Sequence, residues 1–249
     1  AAIERRQNYK IPINEEDIPV SKKYSDSLNN LGLEIIGASK WFNAVIAATD
    51  DTLLLSSIND LDFVRDFNYS QSFTYPSGGI QSYKENTQLN ELPNFPSSGT
   101  MTDYGQGLQQ ISVLNGKALH DLGYRGQGIK IALLDAGFYN VNVFEAFRHL
   151  WYDNRITAVK DFVRFSEHDL FSESTHGMSA LSTIAAYISG SFIGTAPEAE
   201  FMLLRSEDVS SEYKIEEVNW LLAAEYADSA GADIISTSLG YNEFNDSAM

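Results

Sequence analysis

The spacing of apolar residues changes several times along the 249 residues, and each change marks an element. From Ser21 to Leu31 apolar positions recur at helical intervals, and Asn30-Leu31-Gly32 supplies a stop. Leu33-Glu34-Ile35-Ile36 and Trp41-Phe42-Asn43-Ala44-Val45-Ile46 are strand-like runs. Thr52 to Ile58 reads as a short helix opened by Asp50-Asp51, and Phe63-Val64-Arg65-Asp66-Phe67 alternates like a strand. The order helix, strand, strand, helix, strand predicts a small α+β domain over residues 1–73, ferredoxin-like if one more strand precedes Ala1. Residues 74–107 carry Pro76, Pro93, Pro96 and many Gly and Ser with little periodicity, the pattern of an exposed linker.

From Leu108 to Met249 the pattern becomes α/β. Asn115 to Leu122 is helical and stops at Gly123. Ile129 to Leu134 is an apolar run closed by Asp135, the signature of a buried parallel strand. Gly177 to Ile188 reads as a helix, Phe201 to Leu204 as a strand, Ile215 to Ser229 as a helix with a stripe at Ile215, Val218, Leu221 and Leu222, and Asp233 to Ser236 as a third strand. Strands alternating with helices imply a parallel sheet with right-handed crossovers.

Composition narrows the function. A formal net charge of −17 argues against nucleic acid, which needs clustered Lys and Arg, and against docking on anionic lipid. With no cysteine, thiolate catalysis, disulfides and Cys-type zinc sites are excluded. No apolar stretch approaches the roughly 20 residues of a membrane span. Ala1-Ala2-Ile3-Glu4-Arg5-Arg6 lacks the apolar core of a signal peptide, so either the protein is cytoplasmic or its start has been removed.

In open parallel sheets, sites form at the carboxyl ends of strands, and three groups are placed there. Asp135 ends the first buried run, either as a helix or turn cap or as an acid that orients a histidine. His176, in Ser174-Thr175-His176-Gly177-Met178, stands before a helix whose N-terminal dipole favours a neutral, proton-accepting ring; the plain alternative is an exposed His without a role. Ser236-Thr237-Ser238-Leu239-Gly240 follows a strand, either as a turn or as an extended segment that pairs with a bound peptide. His120, His149 and His168 are assigned to structure or solvent, with His149 and Asp153 spaced to pair on a helix surface.

These motifs together resemble the subtilase family in order and spacing. Asp135-Ala136-Gly137 is similar to its Asp motif and His176-Gly177 to its His motif. Gly194-Thr195-Ala196-Pro197-Glu198-Ala199 resembles its Gly-x-Ala-Pro-x-Ala turn, and Ser238-Leu239-Gly240 its substrate-binding strand. Leu133 to Phe138, Leu203 to Asp208 and Ser238 to Tyr241 resemble the exported branch of Bacteroidetes-type bacteria, as do Ser39 to Val45 and Asp62-Phe63-Val64 with that branch's propeptide.

The resemblance implies a subtilisin-like parallel-sheet catalytic domain, in part, behind a propeptide that assists folding and blocks the site until it is cleaved within residues 74–107. It implies a serine endopeptidase acting on peptides or proteins, with His176 as base, Asp135 as its orienting acid, and Ser238, Leu239 and Gly240 positioning substrate. The nucleophilic Ser and the oxyanion Asn are expected beyond Met249, in a C-terminal remainder that is the same chain or a second one. The 249-residue chain alone is then expected to be inactive. Export is implied, with the signal and the first propeptide strand upstream of Arg5-Arg6. No cofactor is implied; calcium is common in the family, and no EF-hand-like loop assigns it here.

One departure is Met178 where the family usually has Thr. It favours the competing reading, a catalytically inactive subtilase fold used for binding or inhibition. An unrelated α/β ligand-binding domain, which would need a phosphate-cradling glycine loop, is disfavoured, because the glycine-rich Gly123 to Gly128 precedes a strand, whereas a dinucleotide loop follows one.

Overall fold

A computed structural model describes residues 2–68, 103–163, 170–210 and 212–241. The first region opens with a helix, α1 (Ala2–Tyr9), that the spacing of apolar residues does not announce. Helix α2 (Lys22–Asn30), an antiparallel hairpin of β1 (Glu34–Ser39) and β2 (Ala44–Ala48), and a short α3 (Leu54–Ile58) follow. Leu28, Leu33 and Ile58 form its core with Ile35, Val45, Leu55, Leu61, Val64 and Phe67.

Phe63–Phe67, expected as a strand, is irregular here. Its apolar residues are used one by one: Val64 and Phe67 pack on the core, and Phe63 stacks on Tyr24 with ring centroids 4.8 Å apart. No strand pairs with the hairpin among the described residues, so the first region shows two of the strands a ferredoxin-like sheet needs.

The expected linker lies mostly outside the described residues. Its last part is not an exposed connector: Tyr104 is buried, and Gly105 bridges to Phe192. The apolar ring finds a site of its own because Tyr104 OH lies 2.9 Å from His120 Nδ1, while His120 Nε2 meets the Thr195 carbonyl at 2.9 Å.

The second region begins with helices α4 (Leu108–Val113) and α5 (Gly116–Asp121). Then come β3 (Lys130–Asp135), α6 (Arg148–Tyr152), β4 (Ile156–Asp161), α7 (His176–Ala185), and a small hairpin of β5 (Tyr187–Ile188) and β6 (Phe192–Ile193). Strand β7 (Glu200–Arg205), helix α8 (Ile215–Ala230) and strand β8 (Ile234–Thr237) complete the described elements. β4, β7, β3 and β8 form one parallel sheet in that order.

Strand alternation divides the side chains of β3 between two layers. Ile131 and Leu133 face a core built with Phe201, Leu203, Leu181 and Ala185, the last two from α7. Ala132 and Leu134 face the opposite core, with Met202, Leu204 and Ala223, Ala224 and Ala227 of α8. The sheet is thus covered by α7 on one side and α8 on the other, an α/β arrangement with the small α+β region added outside α8. Gly37 of β1 lies against Leu222 of α8, and Trp41 packs with the α8-side core.

Candidate active site

The alternation that buries Ile131 and Leu133 against α7 sends Asp135 to the same side. α7 begins there, with His176 as its first residue. His176 Nδ1 donates to Asp135 Oδ1 at 2.7 Å, and the same oxygen accepts the Ala136 amide at 2.7 Å. The Asp135 side chain is only 2% exposed and that of His176 is 51% exposed. A buried carboxylate that accepts Nδ1–H leaves Nε2 directed away from the acid. Such a pair can take a proton from a hydroxyl on its open side and hold the resulting imidazolium.

Gly177 makes the approach possible. A Cβ there would fall 2.4 Å from the Gly137 carbonyl oxygen and 2.9 Å from Asp135 Cβ. Met178, the residue out of pattern, turns its thioether into the α7-side core.

Ser238 lies beyond the end of β8 and, with His176, Ser179, Ala180, Thr183, Ile184 and Ser236, lines one cleft. Leu239 and Gly240 continue the segment; a Cβ on Gly240 would meet nothing within 4 Å. The predicted Asp, His and Ser238 are therefore gathered at the carboxyl end of the sheet, and Leu239 and Gly240 extend from it.

Arg205, with no role assigned from sequence, is the largest fully buried side chain among the described residues. It ends β7 in register with Asp135 of β3 and Asp161 of β4. Its guanidinium meets Asp161 at 3.1 Å and Glu173 at 3.4 Å, and Nε donates to the Ala136 carbonyl at 3.1 Å. It anchors the backbone directly after Asp135. The available signal was a cation at the same strand-end position as the acid, after the apolar run Phe201 to Leu204.

The other histidines separate from the site. His149 is buried and donates from Nε2 to the Pro197 carbonyl at 3.1 Å; Asp153, its expected partner, instead pairs with Arg155 at 3.2 Å. Burial pushes the His149 ring down to about 4, because a charged imidazolium is poorly solvated there. His168 lies outside the described residues.

Carboxylates of α8 hold the first region. Glu225 accepts from Ser39 Oγ, from the Lys40 amide at 3.0 Å and from the Trp41 amide at 3.3 Å. Ser39 Oγ in turn accepts the Phe42 amide at 3.1 Å, so the β1–β2 turn is organised around one carboxylate. Asp228 pairs with Arg5, with Arg6 at 3.2 Å and with Lys40 at 3.3 Å. Burial raises the Asp228 carboxyl, but Arg6 and Lys40 outweigh that and hold it below the usual range.

Comparison with known proteins matches these features. Residues 1–89 match the model of the peptidase S8 propeptide domain of Bacteroidota. Subtilisin E of Bacillus subtilis (strain 168) is 23% identical over 229 residues, covering 87% of this chain and 57% of its own length. Subtilisin J of Geobacillus stearothermophilus gives the same identity and the same coverage, 87% and 57%. The chain thus spans little more than half the length of the curated relatives it matches. Among solved structures, MycP1 with its N-terminal propeptide removed is 20% identical with a TM-score of 0.39, over 54% of this chain and 37% of that one. MycP1 from Mycobacterium smegmatis is 18% identical with a TM-score of 0.39, over 57% and 37%.

These matches support a subtilisin-like chain with its propeptide. More narrowly, its residues 1–89 match a Bacteroidota-type S8 propeptide, and this first region packs on the second through α8. Among the described residues no helix is long and apolar enough to cross a membrane.

Proposed function

We propose that the whole protein is a serine endopeptidase zymogen, exported from the cell, in which His176 is the general base and Asp135 its orienting acid. The nucleophilic Ser comes from sequence beyond residue 249. It attacks the scissile carbonyl while His176 Nε2 takes its proton and returns it to the leaving amine. Asp135 fixes the tautomer through Nδ1 and stabilises the imidazolium. Ser238, Leu239 and Gly240 lie along the peptide substrate as a partner strand. The propeptide restrains the enzyme until cleavage within residues 74–107.

The observation that carries this reading is the 2.7 Å contact between the buried Asp135 carboxylate and the half-exposed His176 ring. The test is turnover of a fluorogenic peptide by the matured full protein. His176→Ala or Asp135→Asn should lower kcat by about 10⁴-fold. Variants as active as the parent would overturn the assignment. An inactive subtilase fold used for binding predicts instead no turnover by the parent protein and no labelling by a serine-directed fluorophosphonate.

A further inference from the structure

The bond between Asp135 and His176 joins two segments 41 residues apart in sequence, the end of β3 and the start of α7. Arg205, which ends the neighbouring strand β7, reaches both of them. Its side chain is 1% exposed, and its donors leave in three directions. Nε donates to the carbonyl of Ala136, the residue after the acid, at 3.1 Å. Nη2 lies 3.4 Å from the carboxylate of Glu173, in the segment that leads into His176. Nη1 donates at 3.1 Å to Asp161 of β4, which is just as deeply buried. Asp208 stands 3.8 Å from Nη2.

These contacts close a ring. It runs from Asp135 to the Ala136 carbonyl, across the guanidinium to Glu173, through Ser174 and Thr175 to His176, and back through the 2.7 Å bond. The backbone laces the same two segments farther from the acid: the Tyr139 amide donates to the Ser174 carbonyl at 3.2 Å and the Asn140 amide to the Phe171 carbonyl at 2.9 Å.

Burial of a guanidinium is costly, and an apolar side chain of similar volume often stabilises a fold as well or better. An apolar side chain cannot hold partners at fixed angles. The planar fork of Arg does so, whereas Lys presents a single point of charge. The separation being held has little slack, since a Cβ at residue 177 would fall 2.4 Å from the Gly137 carbonyl oxygen.

We propose that Arg205, acting through Glu173 and the Ala136 carbonyl, is a positioning residue that sets the distance between Asp135 and His176. The inference rests on the reading of these two residues as orienting acid and base.

The test uses the matured full protein and two readouts. One is peptide turnover. The other is the downfield proton resonance of the His176 Nδ1–H bonded to Asp135, identified by its loss in His176→Ala; it reports on the pair whether or not peptides are cut. Glu173→Ala keeps the Cβ beside Gly137 and removes only the carboxylate. It should lower kcat about tenfold with KM unchanged, because a misplaced base slows the chemistry without weakening binding. It should also shift or broaden the resonance, at a melting temperature close to the parent's. Glu173→Gln retains an oxygen that can accept from the guanidinium and should recover most of the loss. Arg205→Lys keeps the cation without the fork and should lower kcat about 10- to 100-fold. Should Arg205→Lys fail to fold, Glu173→Ala decides alone. A parent-like kcat and resonance in Glu173→Ala would overturn the proposal, as would a loss of activity matched by an equal loss of folded protein. A parent protein that cuts no peptide refutes the endopeptidase reading, and the resonance then decides the role of Arg205 by itself.

Discussion

Asp135 meets His176 because two short-range rules agree: strand alternation aims the acid at α7, and the absence of a side chain at residue 177 lets the helix start there. Gly177→Ala would press a methyl group against the Gly137 carbonyl. It should lower kcat/KM on the order of 10²-fold through misplacement of the ring, read in the same peptide assay. His149 offers a test of stability. Its folded-state value of about 4 lies below the ordinary 6.5, so between these values the unfolded chain binds the extra proton. Stability should therefore fall as pH drops from about 6.5 through 4, by up to about 3 kcal/mol. Denaturant melts at a series of pH values should show this slope, and His149→Gln should flatten it. At this scale Asp135 and His176 were legible, since one ended an apolar run and the other opened a helix. Arg205 was not, because a charge at a strand end does not reveal which carboxylates will surround it.

Among elements, α8 has the most varied duties. Its apolar stripe marked it as a helix, but the stripe understated what is buried. Glu216, Asn219 and Glu225 lie inside as well as Leu222, Ala223, Ala224 and Ala227. Helical spacing expects one covered face, whereas α8 lies between the sheet and the propeptide. Strand β4 was also missed: Ile-Thr-Ala-Val-Lys-Asp mixes polar with apolar residues because it is an outer strand, covered less completely than β3 and β7. The propeptide strand expected at Phe63–Phe67 failed for the opposite reason, its alternation serving three separate contacts. Since one carboxylate organises the β1–β2 turn, Glu225→Ala should weaken inhibition of the matured enzyme by added propeptide about 10- to 100-fold, measured as Ki. Asp228 gives that inhibition a pH dependence. Its carboxyl is held low when docked, so the stabilising contribution is full above the ordinary carboxylate range and is lost as pH falls through the docked value. Propeptide release should quicken in acid, and Asp228→Asn should remove part of that effect.

At the scale of the molecule, the sheet has an open flank. β8 pairs with β3 on one side, and among the described residues nothing pairs on its other side; Ile234 and Ile235 are exposed there. An uncovered apolar strand edge invites pairing with another chain. The 249-residue polypeptide produced alone should therefore self-associate, seen as a concentration-dependent mass in light scattering, and should leave a fluorogenic peptide uncut. Addition of the C-terminal remainder should suppress both behaviours.

The polarity of α8 has a consequence for what holds its last turn. A helix carries partial negative charge at its C-terminus, yet the last turn of α8 holds Asp228 and no basic residue. Within α8 itself that end has no basic side chain to offset the dipole. Arg5, Arg6 and Lys40 supply from outside the countercharge that the helix lacks. The first region thereby serves as an outside cap for the last turn of α8, so its removal should leave that turn the least protected part of the helix in hydrogen exchange.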